Sequence, residues 1–201
     1  MASIRGAMFL LALIISQAAF ADCNTTIPGH YEGRYIDNGN GTITDRMTRL
    51  TWMKCELDMV WDPIQNICKT QDAVPGEPLR KSRNWQDTLQ ATQNLNALGF
   101  ASATDWRLPN IKELASILEL NCLTTSANLA INLDIFPSAN SKLWSSTPHR
   151  GTVPSGDGST DINLAWIVLF RSDTNIGARP EEITQLNFAR LIRGESKLGG
   201  D

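Results

Sequence analysis

The stretch Thr104–Leu120, TDWRLPNIKELASILEL, narrows the fold more than any other part of the chain, because it holds an entry, a stop and a helix start in close succession. Trp106 and Leu108 flank Arg107 in an extended entry, and Pro109 biases Leu108 away from helical backbone. A helix is expected to begin at Asn110. Its side chain can cap the first turn, and Glu113, three positions on, can reach back to the cap's own N–H in a variant of the capping box. Ile111, Leu114 and Leu118 recur at offsets of three and four, which lays one apolar stripe along about three turns.

The first 21 residues read as a secretory signal, with Arg5 in the n-region, an apolar core from Ala7 to Ile15, and Ala19-Phe20-Ala21 as the small-x-small cleavage pattern. The apolar run is too short to span a bilayer, and no later stretch reaches that length. Cys23 lies one residue too late for a lipid anchor, so the expected product is residues 22–201, a single soluble domain, secreted or periplasmic. The formal net charge of -3 becomes -4 without Arg5, and no basic run remains. That balance disfavours nucleic acid as a partner. The Arg80–Arg83 cluster reads as a solvated loop.

Cys23, Cys55, Cys68 and Cys122 make an even set in an exported chain, which points to two disulfides. Three pairings are open. The preferred one joins Cys55 to Cys68 across a short loop, which leaves Cys23 with Cys122 by elimination. Zinc is the competing reading, but there is no C-x-x-C and neither His30 nor His149 stands at ligand spacing from a cysteine.

Along the chain, Tyr31, Gly33 and Tyr35 alternate before Asp37-Asn38-Gly39-Asn40-Gly41, and Thr42-Ile43-Thr44 returns, a hairpin signature. An EF-hand reading of the same residues fails, since Ile36 falls where the first acidic ligand belongs. Residues Leu50 to Lys54 form a further strand, and a loop-like insertion with Pro63, Pro75, Gly76 and Pro78 follows. Asn84 and Asp87 open a second helix, with Trp85, Leu89, Leu95 and Leu98 on roughly one face and Gly99 as its stop. After Cys122 the chain reads as loop to Ser141, with Ile131, Leu133, Ile135 and Phe136 as core contacts. Leu143–Thr147 is a strand ended by Pro148, and Gly151–Asp161 is a surface loop by composition. Ala165–Phe170 is a central strand buried on both faces, and Leu186–Arg193 closes the fold before a frayed tail. The sum is α+β: two helices packed on short, mostly antiparallel strands with long loops.

The ordered series Gly39–Asp45 (GNGTITD), Leu50-Thr51-Trp52, Asp105–Leu114 (DWRLPNIKEL), Phe136-Pro137, Trp144–Thr147 (WSST), Ala165-Trp166 and Arg190–Gly194 (RLIRG) resembles the Lcl C-terminal domain family, first catalogued as a domain of unknown function. Cysteines after the Trp52-type position, about a dozen residues later and after the central helix occur in some members, and Cys55, Cys68 and Cys122 stand at those places. The resemblance implies a C-type-lectin-like fold in secreted or surface proteins, mostly bacterial, with adhesion or polyanionic glycan binding for the member that names the family. The collagen-like repeats that trimerise that member are not present in this chain.

The same fold is similar to that of the formylglycine-generating oxidases, but those use reactive cysteines late in the chain, and none follows Cys122. A Ser-His-Asp hydrolase would need a positioned histidine, and His30 and His149 both read as surface residues. Carboxylate pairs such as Asp157 with Asp161, or Glu181 with Glu182, read as solvated loop charges. Six tryptophans invite a sugar-stacking reading; Trp52, Trp106, Trp144 and Trp166 belong to the framework, and Trp61, inside the cysteine loop, is the one expected at the surface as a ligand-binding candidate. Arg107 is expected to bridge buried carbonyls or a carboxylate. The expected ligand surface follows Trp144: His149, Arg150, Asp157, Asp161 and Asn163, of which Asp157, Asp161 and Asn163 could share a calcium ion through oxygen ligands. The leading expectation is a non-enzymatic binding module for a glycan or a surface protein. Its alternatives are a structural or accessory envelope protein and, last, a hydrolase.

Overall fold

The computed structural model describes residues 33–70, 82–124, 128–155, 158–171 and 175–195. The expected signal segment, Cys23, His30, Tyr31, Asp157 and the tail lie outside those residues. In chain order the elements are β1 (Tyr35–Asp37), β2 (Thr42–Asp45), β3 (Thr51–Met53), β4 (Met59–Asp62), β5 (Ile67–Thr70), α1 (Trp85–Leu98), α2 (Ile111–Ala115), β6 (Lys142–Ser155), β7 (Gly158–Leu169), β8 (Gly177–Glu182) and β9 (Ile192–Arg193). The mixture is α+β. The strands form a four-stranded sheet in the order β1-β2-β3-β9, a β4-β5 hairpin and a three-stranded sheet β6-β7-β8, and every paired strand is antiparallel.

The first hairpin forms where the Asn/Gly cluster allows it. Gly39 and Gly41 sit at φ +73° and +83°, and the Asp37 carboxylate accepts from the Gly39 N–H at 2.9 Å. Asn38 Nδ2 donates to the Thr42 and Thr44 hydroxyls, which fixes the return strand. At its far end Asp45 is fully buried and accepts from Arg34 Nε and Nη2 at 3.0 and 2.7 Å and from the Thr48 hydroxyl at 2.9 Å.

Both helices start as their sequences dictate. Asn84 accepts from the Asp87 N–H at 2.8 Å, and Gly99 ends α1 at φ +69°. Asn110 and Glu113 make the reciprocal capping box at 2.8 Å in each direction. The length of α2 differs from expectation: it runs only from Ile111 to Ala115 instead of about three turns. Tertiary bonds take over the backbone groups that a longer helix would use. Arg34 Nη2 donates to the Ser116 carbonyl, and the Glu119 N–H bonds to Ala130 O. The apolar stripe survives the break, since Leu114 and Ile117 are buried and Ile111 and Leu118 pack against the same core. In α1, Leu98 leaves the packed face that Trp85, Leu89 and Leu95 share and is exposed.

Two apolar clusters lie on either side of β7. Val168 packs into the first with Ile43, Trp52, Leu114 and Phe136, while Ile167 and Leu169 pack into the second with Met53, Trp106 and Trp144. That is the central strand buried on both faces, as its unbroken apolar run requires. Asn96 on α1 holds the Trp106 backbone from both sides, donating to its carbonyl at 2.8 Å and accepting from its N–H at 2.9 Å.

Three segments expected to be loops are paired strands. The cysteine loop contains the β4-β5 hairpin. The polar segment before β9 contributes β8, and the Gly/Ser/Thr-rich stretch after Pro148 continues β6 and β7 as a two-stranded ribbon that pairs through Pro148↔Ala165 to Ser155↔Gly158. A register shift between Trp144 and Pro148 absorbs the proline, so the strand continues past it. At Gly151 a Cβ would stand 2.7 Å from Leu164 Cδ1, so a larger residue there makes that leucine turn aside. Only Ile192–Arg193 of the expected closing strand is regular. β6 carries Pro148 and Pro154, and β8 carries Pro180.

Cys55 and Cys68 are bonded. Cys122 is also disulfide-bonded, while Cys23, its expected partner, lies outside the described residues. Replacing Cys55 and Cys68 together by serine is expected to cost about 3 kcal/mol through the freed loop of the unfolded chain. In a chain this size that lowers the melting temperature by roughly 6–12 °C. A non-reduced thermal melt unchanged by the double substitution would show that the hairpin holds without its crosslink.

Candidate functional site

The ribbon formed by the outer halves of β6 and β7 is where the expected ligand residues gather. Arg150 pairs in register with Asn163, His149 with Leu164, and Thr152 with Asp161. Arg150, Gly151, Thr152, Ile162 and Asn163 line an open cleft of about 450 Å³. Arg150 and Asn163 are exposed, and Arg150 makes no ion pair with another described residue. The imidazole of His149 lies edge-on to Trp166, ring centroids 5.4 Å apart. Trp166 is thus half-buried at the foot of the ribbon, whereas Trp52, Trp106 and Trp144 are buried in the core. Thr152 and Ile162 are not legible as cleft-lining residues because their stretch reads as loop; only the β-branched Thr160 and Ile162, two apart, hint at a strand.

Asp161 enters the ribbon through its backbone pairing, and Asp157 lies outside the described residues, so the calcium set expected of Asp157, Asp161 and Asn163 falls partly outside what the structure describes. Among them no group of three or more His, Cys, Asp or Glu side chains is placed to hold a metal ion.

Trp61 does not stand free. It lies on β4, half-buried, with Lys54 Nζ 4.0 Å from its ring centroid and its own Nε1 donating to Asn66 Oδ1 at 3.0 Å. Lys54 is buried and also bonds Asp37 at 2.7 Å and Asn66 at 3.0 Å. A buried ammonium needs such compensation, and the disulfide at Cys55 and Cys68 folds the hairpin back far enough to supply it. Burial pushes the Asp37 carboxyl upward, but the Lys54 ammonium and the Gly39 N–H together outweigh it and hold the group below its ordinary range.

The motif block around Pro109 is committed to structure. Arg107 grips both oxygens of buried Glu113 at 2.8 Å and also donates to Leu108 O and Gly194 O. For the Glu113 carboxyl, burial pushes upward, but the Arg107 guanidinium and the Asn110 N–H outweigh it and hold the group below the usual carboxylate range. Its two oxygens are therefore occupied. Glu56, fully buried, likewise accepts from the Asn140 N–H at 2.6 Å and from the Asn140 amide side chain.

The model of the Lcl C-terminal domain matches residues 41–193, most of the chain. The chain belongs to that family. Within this Lcl C-terminal domain the matched span runs from the glycine that closes the first hairpin to the end of β9, and so takes in both apolar clusters, the stapled hairpin and the ribbon. No curated protein and no solved structure matches the chain. None of the helices in the described residues is long and apolar enough to cross a membrane.

Proposed function

We propose that this Lcl C-terminal domain is an exported, non-catalytic binding module of C-type-lectin-like architecture that takes a glycan on the β6–β7 ribbon. The observation that carries the reading is the open cleft whose polar lining, Arg150, Thr152 and Asn163, presents a cation, a hydroxyl and an amide. That donor set suits hydroxyl and anionic oxygens, and the exposed guanidinium can grip a carboxylate or sulfate oxygen pair. His149 and Trp166 add a mixed aromatic edge beside it. Support from the rest of the molecule comes from the commitment of Asp45, Glu56 and Glu113 to internal partners, which leaves those carboxylates no role as acid or base. One site of this size and openness binds weakly, and retention on a surface needs several copies.

The test is a glycan panel probed with the purified exported chain, with and without chelator. Arg150→Ala is expected to weaken binding on the order of tenfold, the loss of one charge-assisted contact worth about 1.4 kcal/mol. Absence of binding to every sugar at high protein density, or binding that Arg150→Ala and Asn163→Ala leave untouched, overturns the reading.

A further inference from the structure

The chain contains two Asn-Gly steps, Asn38-Gly39 and Asn40-Gly41, and both lie in the turn between β1 and β2. In such a step the backbone nitrogen of the glycine can close on the amide carbon of the asparagine before it. Glycine puts no Cβ in the way and takes whatever φ the resulting five-membered ring asks for. Both asparagines are exposed. Their hydrogen bonds set them apart.

At Asn38 every reacting group is tied. The Gly39 N–H donates to the Asp37 carboxylate at 2.9 Å, which occupies the nucleophile. Asn38 Nδ2, the leaving nitrogen, donates to the Thr42 and Thr44 hydroxyls at 2.9 and 3.0 Å, and the Thr44 hydroxyl donates back to Oδ1 at 3.1 Å. The amide is thereby held across the turn, away from the Gly39 nitrogen. At Asn40 the arrangement is reversed. Its Oδ1 accepts from the Thr42 hydroxyl at 2.6 Å, two residues on, so the side chain lies along the chain beside the Gly41 peptide. A hydroxyl that donates to this carbonyl also stabilises the oxyanion that forms when a nitrogen adds to it. Among the described residues no hydrogen bond engages Asn40 Nδ2 or the Gly41 N–H, although Gly41 is buried, a rare state for a backbone donor.

We infer that Asn40 is a self-modification site of the folded chain, converted to aspartate and isoaspartate through a cyclic imide with Gly41, while Asn38 is spared. The Gly41 amide gives its proton to hydroxide and its nitrogen bonds to Asn40 Cγ; the Cγ–Nδ2 bond breaks and ammonia leaves. Water then opens the imide at one of its two carbonyls, which yields the aspartyl or the isoaspartyl residue. The sum is an amide and water going to a carboxylate and ammonium, with nothing oxidised or reduced. The site matters to the packing around it. Gly41 O accepts from the Lys54 N–H at 2.9 Å, and a Cβ on Gly41 would stand 3.6 Å from both Trp61 and Phe100. The extra backbone methylene of isoaspartate thus enters where the first hairpin meets the stapled one.

Peptide mapping by mass spectrometry tests the inference on the folded, disulfide-bonded chain held at physiological temperature, at neutral and at mildly alkaline pH. Fragmentation within the peptide separates the two asparagines, and isoaspartyl methyltransferase labelling identifies the isoaspartyl product. Asn40 is expected to convert about tenfold faster than Asn38, the weight of one hydrogen bond in the rate, and faster at the higher pH. In the reduced chain unfolded in urea the two rates are expected to converge. Thr42→Val keeps the shape of a buried side chain but removes the donor to Asn40 and one acceptor of Asn38. It is expected to slow Asn40 by about tenfold and to quicken Asn38. Thr44→Val loosens Asn38 alone and is expected to leave the Asn40 rate unchanged. Near-UV circular dichroism identifies a variant that has lost its fold, and the comparison of the two sites within the wild type then decides. Equal rates in the folded wild type, an Asn38 that leads, no conversion at Asn40, or an Asn40 rate that a folded Thr42→Val variant preserves, overturns the inference.

Discussion

Arg190→Met is expected to lower the stability of the folded chain by about 3–5 kcal/mol. The guanidinium is fully buried, donates through Nη1 to Met53 O at 3.0 Å and to Lys54 O, and donates through Nη2 to Ser138 O. It also lies 4.9 Å from the centroid of the Phe136 ring. Methionine matches the length of the chain but none of the donors, so three carbonyls lose a partner inside the core. These carbonyls belong to the exit of β3 and to the Phe136–Asn140 segment, so the arginine acts as a tie between the four-stranded sheet and the long irregular connection that precedes β6. Arg190→Lys keeps the charge and reaches fewer acceptors, since an ammonium cannot copy the planar fork. Thermal unfolding followed by near-UV circular dichroism should show a fall of roughly 10 °C or more for methionine and a smaller one for lysine. A methionine variant that melts within about 2 °C of wild type, a shift worth less than 1 kcal/mol in a chain this size, would show that the carbonyls find other partners.

Asp45→Ala is the second. It removes the partner of Arg34, whose side chain is itself 8 % exposed, and strands a buried cation at an expected cost of about 3–5 kcal/mol. The same pair predicts a pH dependence. Burial pushes the Asp45 carboxyl up, but the Arg34 guanidinium and the Thr48 hydroxyl outweigh it, so the folded value lies below the ordinary one near 4. A carboxyl depressed on folding contributes stability that is fully present above its unfolded value and is lost as pH falls through the folded one. Wild type should therefore lose stability steeply below about pH 4, and Asp45→Ala should flatten that acid limb. Equilibrium urea unfolding at a series of pH values measures both; an acid limb as steep in the variant as in wild type would remove Asp45 from the account.

What the chain shows of itself in advance is decided by how local each interaction is. Asn84 with Asp87, Asn110 with Glu113, and Gly99 act within a few residues, so their caps are legible in the letters. The Cys55–Cys68 bond is legible for the same reason, and so is Arg107, whose carboxylate lies six residues away. The early end of α2 is not, because Arg34 and Ala130 cause it from 82 residues upstream and from the loop after Cys122. The ribbon is the sharpest case. Gly151, Ser155, Gly158 and Ser159 have the composition of a loop, and only the pairing of the whole stretch against its partner strand makes them β. Arg150 and Asn163 could be named as candidates without that knowledge, whereas their position opposite one another, and the place of Thr152 and Ile162 in the same cleft lining, could not.

The prolines of the three-stranded sheet bear on how the protein behaves when crowded. The outer side of β6 beyond Trp144 and the outer side of β8 have no further strand among the described residues, and free strand edges of this kind recruit strands from neighbouring molecules into fibrils. Pro148 and Pro154 in β6, and Pro180 in β8 with Arg179, Glu181 and Glu182 around it, remove donors and add charge on those two sides. Amyloid-like stacking is thereby discouraged at both borders, and a neighbour that meets this sheet must do so through side chains.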